Sequence, residues 1–505
     1  MLPAHDPYSI PYLSNSALRE RLCDLDAEIE GLHAQLARVR AERKIITDAL
    51  GSIVYPILTL PVEITAEIFA QHLDGLFGEW FQSPVVDLQN ARSAGPLFLS
   101  QVCRAWRSIA INMSSLWCGV RASYSGRIAP DWRNLLEYWL ARAGNQPLYL
   151  DLARDPIQTA LLHSTVAPYS SQLRALECCL PTPTSCPVDT IRGCLPLLRR
   201  LKIWWTPETE IDESEMTPIA TFSEAPELRK VEISYLPLRW ISLPFAQLTH
   251  LTLFGQNIAE SIEALHQSQN LEDISLDLQG PLGETQLIPV TLNHVRELRL
   301  PNDFEWTRSY LPYLTLHGLR SLEIMSEYSR EDDVEVFRAF LQRSQCTLDS
   351  LSLHCDFRVA MSALEATGNV SKLTIYNIDW NTWNLEQFLV QITSDPTFLP
   401  NLRSLHLLYC ETIIPYAKVV DLLSARWRNP EGVARLESFR FIRERGDTDD
   451  EPSAALQARL SSLADEGLDI RIQSLNHWKV LDNLGALDRG RRAIINVCVP
   501  ERSFS

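Results

Sequence analysis

From Leu18 to Leu50 the apolar positions step by four and three in alternation: Leu18, Leu22, Leu25, Ile29, Leu32, Leu36, Val39, Ile46 and Leu50, with Arg43 as the one charged residue on the row. A step averaging 3.5 residues is the repeat of a helix that keeps one narrow seam toward another helix. Glu20, Arg21, Asp24, Glu28, Glu30, Arg38, Arg40 and Glu42 surround that seam, so the pattern predicts one long helix before residue 54. The seam needs a second surface: a copy of itself, which would make a homodimer, a different coiled-coil partner, or helices of the same chain folded back. Gly51 at the helix end and Pro56 beyond it mark a joint.

The period then changes. In the stretch from Tyr55 to Leu73, Leu60, Ile64 and Ile68, with Phe69 one step round, follow helical spacing, while Glu63 and Glu67 fall on another face. Thr59 is a cap candidate, Pro61 suits a first turn, and Glu63 is an early-turn acid. From Pro96 to Val120 the same spacing returns at Leu99, Val102, Cys103 and Trp106, with Arg104 and Arg107 pointing elsewhere. Helices this short do not bury such stripes alone, so they must pack on each other and on something more.

Leu60-Pro61-x-Glu63-Ile64, Ile68-Phe69, Val102-Cys103-Arg104-x-Trp106-Arg107 and Leu116-Trp117 together resemble the F-box. In that family a small helical module docks on the Skp adaptor of cullin-RING ubiquitin ligases, and the rest of the chain selects the client. The resemblance implies adaptor contacts at Leu60, Pro61, Ile64, Ile68, Val102, Cys103 and Trp106, some of which would instead be internal core. The stretch from Asp74 to Gly95 departs from the family, being longer and more polar than the usual link between the two helices, and reads as a loop insertion. F-box chains of the type abundant in mushroom-forming fungi carry a heptad helix directly before the motif.

Beyond a bridge in which Asp131 precedes a helix through Leu135, Leu136, Trp139 and Leu140, and Pro147 to Leu152 alternates as a strand, a triplet L-x-x-L-x-L recurs with other apolar residues substituting. It stands at Leu173-Leu176-Cys178, Leu198-Leu201-Ile203, Leu228-Val231-Ile233, Leu248-Leu251-Leu253, Leu271-Ile274-Leu276 and Val295-Leu298-Leu300. It continues at Leu319-Leu322-Ile324, Leu348-Leu351-Leu353, Val370-Leu373-Ile375, Leu402-Leu405-Leu407 and Leu436-Phe439-Phe441. Each triplet supplies one apolar edge of a short parallel strand that is buried only when neighbours stack. Between them Glu331 to Ser344, Leu385 to Thr393 and Val419 to Trp427 show helical spacing, and a helix through Leu456, Leu460 and Leu463 leads to a closing strand at Leu468-Ile470-Ile472. The irregular spacing, averaging about 26 residues, resembles leucine-rich repeats, although the asparagine or cysteine that usually follows the strand is mostly missing.

If the triplet residues face the core, those between and just after them face the opposite, concave side. Trp204, Phe254 and Tyr376 are then candidate client anchors, because interface energy concentrates in aromatics, and His354, His406 and Arg299 accompany them. The run from Glu444 to Ser453 is too charged to be buried and reads as a solvated loop.

Bulk properties narrow the function classes. A charge of −17 over 505 residues opposes wholesale binding to nucleic acid or to an anionic membrane. Eleven scattered cysteines without CxxC spacing, and an N-terminus without a basic flank and apolar run, indicate a reducing cytoplasmic or nuclear setting. No apolar run approaches the length of a membrane span. No GxGxxG, P-loop, GxSxG or HExxH pattern is present, so neither an enzyme, a cofactor nor a metal is expected.

The expected architecture is α/β: a heptad helix within residues 1–54, a small helical F-box-like module at 55–120 with its insertion at 74–95, a bridge at 121–170, an irregular leucine-rich-repeat solenoid with parallel strands at 171–475, and a tail at 476–505. The function this implies is client recognition in an SCF-type ubiquitin ligase, with a non-ligase coiled-coil and repeat scaffold as the alternative.

Overall fold

The computed structural model describes residues 14–51, 59–74, 77–78, 83–88, 95–122, 132–152, 165–180, 187–205, 218–280, 287–301, 304–325, 331–355, 357–376, 384–410, 414–428, 432–444 and 452–475. Asp131 before its helix, the joint at Pro56, most of the 74–95 insertion, residues 445–451 of the charged loop and the 476–505 tail lie outside these residues. The chain divides into two compact units, residues 1–68 and residues 69–505, and the boundary falls within one helix.

In the first unit the heptad row forms α1, a single helix over Asn15–Gly51. Every described seam residue, from Leu18 to Ile46, is exposed. A second helix, α2 (Val62–Asp74), begins directly after Pro61 and carries Glu63 in its first turn, where an acid meets the positive end of the helix dipole.

The second unit is built on one sheet of fifteen strands, all parallel, in which spatial order repeats chain order. They are β1 (Val86–Asp87), β2 (Gly119–Arg121), β3 (Leu148–Asp151), β4 (Leu173–Leu180), β5 (Arg200–Trp205), β6 (Lys230–Ser234), β7 (His250–Asn257) and β8 (Asp273–Gln279). The remainder are β9 (Glu297–Leu300), β10 (Ser321–Met325), β11 (Ser350–His354), β12 (Lys372–Tyr376), β13 (Ser404–Cys410), β14 (Ser438–Glu444) and β15 (Asp469–Leu475). The middle residue of every triplet falls on one cross-strand ladder, which reads Leu176, Leu201, Val231, Leu251, Ile274, Leu298, Leu322, Leu351, Leu373, Leu405, Phe439. Ile470 extends it at one end and Leu150, Val120 and Val86 at the other. The sheet therefore starts earlier than the triplets do, with β1 inside the 74–95 stretch.

Helices cover one face of the sheet. Between β1 and β2 lies the first layer of this packing: α3 (Gly95–Val102) and α4 (Arg104–Asn112), joined by Cys103, whose Sγ accepts the backbone N–H of Trp106 as an N-cap. Gly95 has φ +74°, and a Cβ there would fall 2.8 Å from Val86 Cγ2, so no larger residue fits between α3 and β1. Trp117 is fully buried beneath them; its indole N–H donates to the Ala110 carbonyl at 2.8 Å, and its ring meets Trp139 of α5 (Trp132–Ala143) edge-on at 4.8 Å. Further along come α6 (Ile258–Gln267), α7 (Phe304–Tyr310), α8 (Glu331–Ser344), α9 (Phe357–Thr367), α10 (Leu385–Ser394), α11 (Tyr416–Arg428) and α12 (Ala454–Asp465). Their buried sides share one hydrophobic core with all three apolar residues of every triplet.

Two arginines tie consecutive helical layers together. Arg343 at the end of α8 donates to the carbonyls of Leu311 and Leu314, and Arg426 in α11 donates to those of Ile392, Phe398 and Leu399. Both reach back about thirty residues to the connection that precedes the neighbouring strand, satisfying backbone acceptors that a helix end or a tight turn leaves over.

Candidate protein-interaction surfaces

On α2 the residues four apart fall on shared faces. Phe69 and Leu73, in the second unit, are buried, and Phe69 meets Trp106 edge-on at 4.9 Å. Ile64 and Ile68, in the first unit, are 49% and 39% exposed, with Leu60, Pro61 and Val62 exposed just ahead of them. The helix is thus apolar on more than the side it buries, which a solvated surface helix does not need. In the second unit Val102 and Phe98 are also exposed, Phe98 stacking on His72 at 6.4 Å. The seven residues of the F-box resemblance therefore differ in kind. Leu60, Pro61, Ile64, Ile68 and Val102 present bare side chains, Cys103 caps α4, and Trp106 is half-buried against Phe69.

The helix-free face of the sheet carries the residues between the triplet positions. Not all of them are accessible, because strands about 4.8 Å apart let long side chains close over short ones. Ser275, Asp277, Thr374 and His406 are buried there. Trp204, Ser234 and Phe254 share one cross-strand row on β5, β6 and β7. Trp204 donates its indole N–H to Glu177 at 3.2 Å, and Lys202 lies 4.9 Å from the Trp204 ring centre. Lys202 itself stands between Glu177 and Glu232, at 3.7 and 3.0 Å. Burial, with Asp151 and Glu232 adding like charge, holds the Glu177 carboxyl well above the usual carboxylate range despite Lys202.

Tyr235, absent from the sequence-based candidates, completes this cluster. Its backbone is left-handed at φ 62°, its ring meets Phe254 edge-on at 5.3 Å, and the side chain is 44% exposed. Gly255 makes room for it: a Cβ there would stand 2.4 Å from Tyr235 Cδ1. A non-glycine residue in that backbone region costs about 1–3 kcal/mol and persists where the surroundings enforce it, often at functional sites. Nothing in Ser234-Tyr235-Leu236-Pro237 distinguishes it from an ordinary turn, so no sequence signal marked it.

Tyr376 belongs elsewhere. It lies five strands from Phe254, roughly 24 Å at the sheet spacing, and its row continues into Leu408 and Ile442, both buried. His406 precedes Leu408 by two residues and sits between Thr374 and Arg440. Burial first, then the Arg440 and Lys372 charges, pull its imidazole down to about 4, so it is neutral at physiological pH. Arg299 is held by Asp273 at 3.0 Å and Glu297 at 2.8 Å, with Glu323 at 3.8 Å, which makes it part of an ion ladder on the face rather than a lone recognition group. His354 is half-buried at the end of β11 beside Met325.

Among the described residues no three His, Cys, Asp or Glu side chains gather as metal ligands, and no described helix is long and apolar enough to cross a membrane. Comparison with known proteins finds neither a matching family model nor a curated relative.

Proposed function

We propose that the chain is the client-recognition subunit of an SCF-type cullin-RING ubiquitin ligase, docking on the Skp adaptor through its F-box-like helices and holding a client protein on the helix-free face of its parallel sheet. In this reading the sheet unit is an irregular leucine-rich-repeat array, and the chain performs no bond chemistry. It acts by proximity, bringing a client lysine within reach of a conjugating enzyme carried elsewhere in the assembly. The observation that carries the proposal is the bare Ile64 and Ile68 pair on α2, at positions where the F-box resemblance puts adaptor contacts.

Ile64→Asp tests it, because the substitution puts an unpaired charge into an apolar interface while leaving the Phe69 face untouched. The variant is expected to lose capture of the Skp adaptor in pull-down, with affinity reduced more than about a hundredfold. Full capture by a folded Ile64→Asp chain sinks the adaptor assignment and leaves the rival reading, a scaffold that joins partners through α1 and the sheet; the bare seam of α1 is the observation in that reading's favour.

For the client, Trp204→Ala combined with Phe254→Ala is expected to weaken capture by about 2 kcal/mol or more with adaptor binding unchanged. Adding Tyr376→Ala should contribute little further, given its distance from that pair. Undiminished client recovery from the Trp204/Phe254 double variant moves the client to another surface.

A further inference from the structure

The described apolar residues of the α1 seam, Leu18 through Ile46, are each between 40% and 60% exposed. The seam runs roughly 50 Å along the helix at 1.5 Å per residue. Its flanks narrow the choice of occupant. A helix that lies on a globular core is apolar on one flank as well as along the seam, whereas two-helix packing needs the seam alone. One flank of α1 carries Arg19, Asp26, His33, Arg40 and Thr47, and the other begins with Arg21, Glu28, Gln35 and Glu42. The stripe is no wider than a partner helix covers.

We infer that this occupant is a second copy of the chain, parallel and in register. In that alignment residues five apart on opposite flanks face each other across the seam. Arg21 meets Asp26 of the second copy, Glu28 meets His33, and Gln35 meets Arg40; each pair occurs twice by symmetry, and none joins like charges. The reversed alignment that also overlaps the whole seam sets Glu28 against Glu42 twice, which offsets the two Asp26–Arg40 pairs it makes, so the parallel alignment keeps the larger net attraction on its flanks. In the parallel pair Arg43 stands opposite its own copy within the seam, with Glu42 of each chain beside it. A polar residue at one seam position costs stability and specifies register and strand number. This association is independent of what the sheet or α2 binds.

The full-length chain at about 10 µM is expected to sediment at twice its 57.4 kDa mass. Leu25→Glu with Leu32→Glu should raise the dimer dissociation constant at least about a hundredfold. Arg43→Leu, which removes the like-charge pair, should lower it about tenfold. Leu22→Cys, introduced with Cys23→Ser, should form an interchain disulfide under mild oxidation, because equivalent seam positions adjoin only in the parallel alignment. A monomeric wild-type chain, a dimer that survives both glutamates, a dimer weakened by Arg43→Leu, or a chain purified from its source in one-to-one complex with a different coiled-coil protein overturns the second-copy assignment; absence of the Leu22→Cys crosslink overturns the parallel register.

Discussion

Arg426→Ala is expected to destabilise the sheet unit by about 3–5 kcal/mol, read as a lowered urea midpoint with an unchanged slope. The side chain is 3% exposed and donates four hydrogen bonds to three carbonyls, one in the last turn of α10 and two in the connection from α10 to β13, at 2.9 to 3.2 Å. Burial lowers the pKa of its guanidinium, with the more distant Asp395 opposing. Truncation removes the donors but leaves the carbonyls of Ile392, Phe398 and Leu399 in a space too dry to hydrate them freely, so the unmet acceptors dominate the loss. Arg426→Lys should recover less than half of it, because a single ammonium cannot span acceptors that the planar fork reaches from two sides. A shift below about 1 kcal/mol for the alanine variant means that water replaces the guanidinium, and the clamp is then dispensable.

Trp117→Ala is expected to cost about 3–5 kcal/mol as well, by a different route. The residue lies in the Leu116-Trp117 end of the F-box resemblance, yet it is fully buried between α4 and α5. Its loss opens a cavity between layers and strands the Ala110 carbonyl. Trp117→Phe separates the two contributions: keeping most of the ring while removing the N–H should cost only about 1–2 kcal/mol. Melting of the purified variants by circular dichroism distinguishes them, and equal losses for Ala and Phe would place the whole effect in the hydrogen bond.

What could be read from the chain and what could not follow from physical scale. The triplets were legible because a parallel strand buried on one face must repeat its apolar residues at period two, and Leu201, Leu251 and Leu373 obey that rule without exception. Strands β1 and β2 were not legible: two or three residues such as Val86–Asp87 show no alternation, and their place is fixed by neighbours distant in sequence. The long α1 was visible as a heptad, but its period alone left three occupants for the seam. On the candidate surfaces, spacing put Ile64 and Ile68 on one helix face, but it could not show that Cys103 serves as a cap. It grouped Trp204, Phe254 and Tyr376 by type, and the fold separates them because strand number sets distance across a sheet. Arg426 and Tyr235 carried no local signal at all. One depends on carbonyls some thirty residues earlier, and the other on a glycine twenty residues later.

Because each strand of the sheet bonds only to the strands before and after it in the chain, resistance to a pulling force is distributed serially. A load applied at the C-terminal end of β15 meets the seven-residue β14–β15 ladder first, and no other described strand shares it. The sheet should therefore give way in successive steps of one strand and its connection, each releasing some twenty to thirty-five residues of slack, rather than rupture at once. Stepwise release also leaves the still-folded remainder with an intact face, so a protease or unfoldase that engages this end shortens the molecule while the Trp204, Tyr235 and Phe254 cluster, eight to ten strands away, keeps its geometry.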